Sequence, residues 1–114
     1  MAQLNIKQRQ AGDVAILDLD GEVRIGDSAT ALRGAIRELV AAGNKKILLN
    51  LGEVSYIDSS GIATLIEVLK DSQRLNKEFV LFGLSPAVEH VFRLTHVIRI
   101  FHVFQTEQEA LGTA

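Results

Sequence analysis

The chain has 114 residues, of which 47% are hydrophobic, and its formal net charge is −2. This length fits one compact domain over residues 1–114, and the absence of cysteine excludes disulfides and thiolate metal sites. Acidic and basic residues are mixed along the chain, so no basic surface for nucleic acid is expected. No apolar run approaches the ~20 residues that span a bilayer, and residues 1–10 hold no signal-peptide core. We therefore expect a cytoplasmic protein.

Two strands are predicted at the start of the chain. Residues 4–10 alternate weakly between apolar and polar, and residues 14–21 form a more apolar run. Gly12 and Asp13 lie between them, which favours a hairpin.

The segment over residues 26–46 predicts a helix, because its apolar residues recur at spacings of three and four. Asp27 or Ser28 is expected to cap its N-terminus, and Gly43 is expected to end it in a left-handed conformation. Gly34 lies inside this helix, where glycine costs about 1 kcal/mol relative to alanine. Close packing against a strand is one explanation for it.

Residues 46–51, KILLNL, predict a strand that is covered on both faces. A loop, GEVSYIDSS, is expected over residues 52–60. A second helix is predicted over residues 60–76, and Asn76 is expected to end it.

The C-terminal third predicts two more strands and two more helices. A buried strand is expected over residues 78–84, followed by a helix with Ser85 as its cap and Pro86 at its first position. The segment IRIFHVF, residues 98–104, predicts a short strand. Thr106 is expected to cap a terminal helix.

The order of these elements predicts the fold class. Apolar strands that alternate with helices imply right-handed crossovers and a parallel core sheet. The opening hairpin adds an antiparallel strand, so the sequence predicts an α/β fold with a mixed sheet.

Small polar residues stand where the second helix should begin. Asp58, Ser59 and Ser60 are all of preferred capping types, so capping alone explains them. A hydroxyl at this position also lies among unpaired N–H groups at the positive end of the helix dipole, where the fold would tolerate a phosphate. Gly61 is expected to leave the backbone of this turn accessible. The motif therefore permits a cap, a phosphorylation site, or both.

Other chemistry finds little support in the sequence. A nucleophile elbow of a serine hydrolase needs G-x-S-x-G, and the first glycine is missing from IDSSG. No glycine-rich phosphate loop occurs, so no cofactor is expected. His90, His96 and His102 lack the spacing of metal ligands and are expected at the surface. Two acidic pairs are expected to be solvated: Asp18 with Asp20, and Glu107 with Glu109.

Three segments carry a family resemblance. They read GEVRIGDSATALRGAIREL, KKILLNLGEVSYIDSSGIATLIEVLK and FVLFGLSPAVEHVFRLTHVIRIFHVFQTEQEAL, and YIDSSGIATL is the most specific part. With them, nearly the whole chain resembles a STAS domain of the bacterial anti-sigma factor antagonist family. The resemblance implies a mixed sheet with about four helices, mainly on one face.

The resemblance also implies a binding protein and not an enzyme. Its switch serine falls on Ser59, with Ser60 as the second candidate. The dephosphorylated protein would bind an anti-sigma factor that is also an ATP-dependent serine kinase, and so release the sigma factor. Phosphorylation would end the complex, and a PPM-type serine phosphatase would reset it. The implied partner-binding residues are Asp58, Ser59, Ser60, Gly61, Ile62, Glu22 and Arg24.

One residue departs from the family pattern, and two other functions stay open. Family members often read G-E-L-D where this chain reads GEVR, so Arg24 replaces an acid and either alters the partner or its affinity, or pairs with a phosphate on Ser59. The alternatives are a STAS subunit of a lipid-transport or stress-signalling assembly, and a small hydrolase. No membrane insertion is expected. The oligomeric state is not fixed by the sequence, with a monomer favoured.

Overall fold

The computed structural model describes residues 3–112 and contains one five-stranded sheet in the order β1-β2-β3-β4-β5. The strands are β1 Leu4–Ala11, β2 Val14–Val23, β3 Lys46–Ile57, β4 Glu78–Phe82 and β5 His102–Phe104. The helices are α1 Asp27–Ala41, α2 Ser59–Arg74, α3 Pro86–Leu94 and α4 Glu107–Leu111, with a short 3-10 helix at Val97–Arg99. β1 is antiparallel to β2, and the other neighbours are parallel. The predicted mixed α/β sheet is confirmed.

The helices cover the two faces of the sheet unequally. Alternate residues of β2, such as Leu17 and Leu19, enter the main core together with apolar side chains of α1, α2 and α3. Ile16, on the other face, joins a smaller cluster that α4 covers through Ala110. Three helices thus pack on one face and one on the other, which confirms helices mainly on one face.

Most of the predictions at turns and helix ends are confirmed by the structure. Gly12, at φ +64°, and Asp13 join β1 to β2 as a two-residue hairpin. Ser85 accepts a hydrogen bond from Val88 N at 3.2 Å and caps α3, whose first residue is Pro86. Thr106 caps α4 in a capping box with Glu109. Gly43, at φ +93°, and Asn76, at φ +57°, follow the ends of α1 and α2.

The start of α1 differs from the prediction. Its cap position is Gly26, which has no side chain to accept a hydrogen bond, so the predicted capping by Asp27 or Ser28 is wrong. The Ser28 hydroxyl instead accepts from Arg24 N at 2.7 Å and donates to Arg24 O at 3.0 Å. These bonds fix the turn between β2 and α1, because they join Ser28, the second residue of the helix, to the backbone of Arg24 just after β2.

The packing role predicted for Gly34 is also wrong. This residue is exposed, and a Cβ atom added to it would meet no atom within 4 Å. No strand therefore approaches α1 at this position.

β3 is longer than predicted and continues to Ile57, through most of the segment expected to be a loop. It continues because β2 runs beside it as far as Val23, after two register shifts. Val54 and Ile57 are buried against the core. The extension carries the chain directly to the first residues of α2.

The strand predicted over residues 98–104 is correct only in its last three residues. His96 has a left-handed backbone, φ +64°, and the chain then forms a 3-10 helix instead of a strand. Phe101 is buried and stacks on Phe92, with ring centroids 5.7 Å apart, and meets Phe79 edge-on. This buried ring lies directly before β5, which begins at His102.

The prediction that both acidic pairs are solvated is wrong for three of the four residues. Arg9 donates to both Asp18 oxygens, at 2.6 and 2.9 Å, and to Glu107. The Arg9 hydrogen bonds, helped by Asn50 and opposed by partial burial, lower the pKa of Asp18. Glu109 belongs to the capping box of α4, so only Asp20 fits the expectation.

Membrane spans, metal ligands and histidines can also be compared with the structure. Among residues 3–112, no helix is long and apolar enough to cross a membrane, and no group of three potential ligands could hold a metal ion. His90, His96 and His102 are all exposed, as predicted.

Candidate functional site: the N-terminus of helix α2

The candidate site lies at the corner where β2 and β3 end side by side. Val23 and Ile57 are paired at the last position of the two parallel strands, and Asp58 N donates to Val23 O at 3.2 Å. Carboxyl ends of neighbouring parallel strands are where α/β sheets commonly place functional groups. The turn after β2 and the start of α2 therefore form one continuous surface.

Asp58 ties the two halves of this corner together. One carboxylate oxygen, Oδ1, accepts from Gly61 N at 2.9 Å and caps α2. The other, Oδ2, accepts from Ile25 N at 3.0 Å and holds the turn that leads to α1. Partial burial acts to raise the pKa of Asp58, but the N–H groups of Gly61, Ile25 and Ser60, together with Arg24, outweigh it and leave the pKa lowered. The carboxylate is thus the charged form that the fold requires.

The two serines of the motif face different surroundings. Ser59 is the first residue of α2 and is exposed, whereas Ser60 is half-buried. Ser60 lines a shallow cleft of about 220 Å³ between the first turns of α1 and α2, together with Arg33 and Thr64. Ser59 is therefore the more accessible of the two serines.

Gly61 and Ile62 are buried, and the expectation that Gly61 leaves an accessible backbone is wrong. A Cβ atom at Gly61 would lie 2.8 Å from Val23 O and from side-chain carbons of Val23 and Ile57. Ile62 is 7% exposed and belongs to the main core. Both residues hold α2 close to the strand ends and so position the serines.

Arg24 and Glu22 form an ion pair at this corner, where the charge of Arg24 acts on Asp58. The Arg24 guanidinium also stacks over the Tyr56 ring, 4.2 Å from its centroid. Glu22 and Tyr56 are neighbours in the register of β2 and β3, so strand pairing brings the three side chains together. Arg24 remains 46% exposed and is available to a partner.

Two exposed apolar side chains at this corner were missed from the sequence. Ile25 is 76% exposed and Tyr56 41% exposed. A bulky aliphatic residue in the turn RIGD, directly before a helix, was the available signal for Ile25. The sequence offers no such signal for Tyr56, because residues 52–60 are predicted to form a loop. Exposed apolar groups rimmed by charges are typical of a surface that binds another protein.

The surroundings of the Ser59 and Ser60 hydroxyls bear on the chemistry available at this corner. An activated serine needs a base within hydrogen-bond reach. No side-chain hydrogen bond that we find between residues 3 and 112 joins a histidine to Ser59 or Ser60. The N-terminal dipole of the 16-residue helix α2 stabilises added negative charge instead.

Replacing Asp58 by alanine is expected to lower the free energy of unfolding by about 1–2 kcal/mol at pH 7. The variant loses the cap of α2 and the acceptor of Ile25 N. Urea denaturation measures the change.

Asp58→Asn is the matched control, because asparagine also caps helices but carries no charge. Since the folded pKa of Asp58 is lowered, its charge stabilises the protein above the unfolded pKa, and this contribution is lost as the pH falls through the folded pKa. The parent should therefore exceed Asp58→Asn in stability more at pH 7 than at pH 3. An equal difference at both pH values would show that the charge plays no part.

Comparison with known proteins agrees with this geometry. The sequence model of the STAS domain matches residues 5–110, and the chain belongs to the STAS domain family. A Thermotoga neapolitana protein, named as a homologue of TM1081, is 31% identical over 99 residues, which are 87% of this chain and 88% of that protein. The anti-sigma-B factor antagonist of Listeria monocytogenes is 29% identical over 111 residues, 96% of this chain and 94% of that protein.

Solved structures share the fold. The anti-sigma factor antagonist SpoIIAA in its unphosphorylated form superposes with a TM-score of 0.78 at 21% identity, over 94% of this chain and 93% of that one. SpoIIAA of Bacillus in its phosphorylated form gives a TM-score of 0.72 at 20% identity, over 94% and 96%. At this identity the likeness concerns the fold alone.

Proposed function

We propose that this chain is an anti-sigma factor antagonist whose Ser59 is its phosphorylation switch. In the dephosphorylated state it binds an anti-sigma factor that is also a serine kinase, and the sigma factor is released. The observation that carries the proposal is the exposed Ser59 at the start of α2, beside the exposed Ile25 and Tyr56. The relatives named as anti-sigma factor antagonists support it.

Phosphorylation of Ser59 changes the charge of this surface without opposing the fold. The kinase transfers the γ-phosphoryl group of ATP to the Oγ atom: the Oγ–P bond forms, the bond to the β,γ-bridging oxygen breaks, ADP leaves, and a base of the kinase takes the hydroxyl proton. The phosphate adds roughly −1.5 to −2 charges. The helix dipole accepts this charge, whereas an interface that buries it without a partner is strongly weakened.

The proposed partner surface contains the exposed and half-buried members of the motif and its flank. Asp58, Ser59 and Ser60 form its centre, and Glu22 with Arg24 forms its charged edge. Gly61 and Ile62 are buried beneath this surface and support it. Residues 1–114 act as one domain and perform no catalysis of their own. A PPM-type serine phosphatase hydrolyses the phosphoserine to restore the hydroxyl and release inorganic phosphate, and the cycle takes place in the cytoplasm.

The direct test is incubation with the cognate anti-sigma factor kinase and ATP, followed by peptide mass spectrometry. We expect one phosphate per chain on Ser59, loss of modification in Ser59→Ala, and unchanged modification in the matched control Ser60→Ala. Phosphate on another residue, or none, would refute the proposal. A pull-down from native cells that recovers a membrane ATPase in place of a kinase would support a STAS subunit of a transport assembly.

A further inference from the structure

Arg24 occupies an unusual position for a surface arginine. Its guanidinium is held on two sides, by the Glu22 carboxylate and by the face of the Tyr56 ring. Arginine is suited to this because its planar group stacks on aromatic rings and pairs with carboxylates. The group therefore has two neighbours in the structure and remains accessible to solvent.

The backbone of Arg24 is anchored next to the proposed phosphorylation site. On one side of it, Val23 O accepts from Asp58 N at 3.2 Å, and on the other, Ile25 N donates to Asp58 Oδ2 at 3.0 Å. Ser59 follows Asp58 directly, and consecutive Cα atoms are only ~3.8 Å apart. Arg24 also helps to lower the pKa of Asp58, which shows that its charge acts on this corner.

The charges at this corner favour an exchange of partners. Glu22 offers Arg24 a single negative charge, whereas a phosphoserine offers roughly −1.5 to −2 charges and three acceptor oxygens. Arginine forms forked, charge-assisted hydrogen bonds with phosphate. We infer that Arg24 gives up its pairing with Glu22 and becomes the intramolecular partner of a phosphate on Ser59. The inference rests on the proposed phosphorylation of Ser59.

The exchange alters more than the modified residue. Arg24 would leave the Tyr56 ring, and Glu22 would remain as an unpaired carboxylate beside the phosphate. The charged edge of the partner surface would therefore change its arrangement together with its net charge. A partner that recognises the Glu22–Arg24 pair loses it on phosphorylation.

A competing position for the phosphate can be named from the structure. Arg33 lines the cleft at Ser60, where it pairs with Glu67 at 3.1 Å. A phosphate that turned into this cleft would approach Arg33 instead of Arg24. The charged groups of this corner that a Ser59 phosphate could meet are Asp58, Glu22 and Arg24, and Arg33 in the cleft at Ser60.

The test uses the full chain with phosphoserine installed at position 59 during translation, so it needs no kinase. Phosphorus NMR then measures the second pKa of the phosphate. A nearby guanidinium favours the dianion, so this pKa should be lower in the parent than in Arg24→Gln. Arg93→Gln is the matched control, because Arg93 is also an exposed arginine paired with a glutamate, on α3. It should leave the phosphate pKa at the parent value, and so should Arg33→Gln.

A second measurement requires no variant. The Nε–H signal of Arg24 in the nitrogen NMR spectrum should shift on phosphorylation, because its acceptor changes from carboxylate to phosphate. Equal phosphate pKa values in the parent and Arg24→Gln would overturn the inference. So would a change in the phosphate pKa in Arg33→Gln as large as the change in Arg24→Gln. Either result would leave the proposed phosphorylation switch at Ser59 unaffected. Conversely, failure of a kinase to modify Ser59 would leave the measured pairing of Arg24 with the installed phosphate unaffected.

Discussion

Replacing Ser59 by glutamate is expected to weaken binding to the cognate anti-sigma factor by about 2–4 kcal/mol, or roughly 30- to 1,000-fold in Kd. The variant places a fixed carboxylate at the centre of the proposed interface, where binding of the anti-sigma factor would remove the charge from water. Isothermal titration calorimetry with the purified anti-sigma factor measures the loss. The effect should fall short of full phosphorylation, because glutamate carries one charge and phosphate up to two.

Ser59→Gln is the matched control, since it adds the same bulk without the charge. It should bind more tightly than Ser59→Glu, and Ser59→Ala should bind about as tightly as the parent. Stability should not fall in Ser59→Glu, because an acid in the first turn of α2 interacts favourably with the helix dipole. Equal affinity of the Glu and Gln variants would refute an electrostatic switch at this position.

Most predictions that depended on neighbouring residues alone succeeded, whereas the predicted cap of α1 was wrong. Asp58, Ser85 and Thr106 each cap the helix that follows them, because a short polar side chain can reach the free N–H groups of the next turn. Gly12 with Asp13 makes the hairpin for an equally local reason, the positive φ of the glycine. These signals were enough to order the elements and to place Ser59 at a helix start.

Predictions failed where distant parts of the chain decide the structure. β3 extends to Ile57 only because β2, with its two register shifts, continues beside it. Arg9 binds both Asp18 and Glu107, and Glu107 lies 98 residues after Arg9 in the sequence. No local pattern contains these pairings, so the sequence alone predicts solvated acids and a shorter β3.

The candidate site combines both kinds of information. The serines and the Asp58 cap follow from the local motif. The stacking of Arg24 on Tyr56 requires the register of β2 on β3, and the bond from Ile25 to Asp58 joins residues 33 positions apart. The position of Ser59 at the start of a helix could thus be predicted from the sequence, whereas the arrangement of the side chains around this corner could not.

Gly61→Ala is expected to lower the free energy of unfolding by about 1–3 kcal/mol, because the added methyl group meets close-packed atoms. Its Cβ would lie 2.8 Å from Val23 O, a backbone atom at the end of β2 that cannot move without disturbing the Asp58 N–H bond. Gly61 N is also the donor to the Asp58 cap. The variant should therefore lose affinity for the anti-sigma factor as well as stability, measured by urea denaturation and calorimetry.

Gly34→Ala adds the same methyl group to the other helix of the pair and should have the opposite sign. Gly34 is exposed with no atom near its Cβ position, so the variant should gain about 0.5–1 kcal/mol from helix propensity and keep its affinity. A loss of stability in both variants would mean that α1 is packed more closely than described. A gain in both would mean that α2 can move away from Val23. Opposite signs with reduced affinity only in Gly61→Ala would show that the seating of α2 on the strand ends positions Ser59 for its partner.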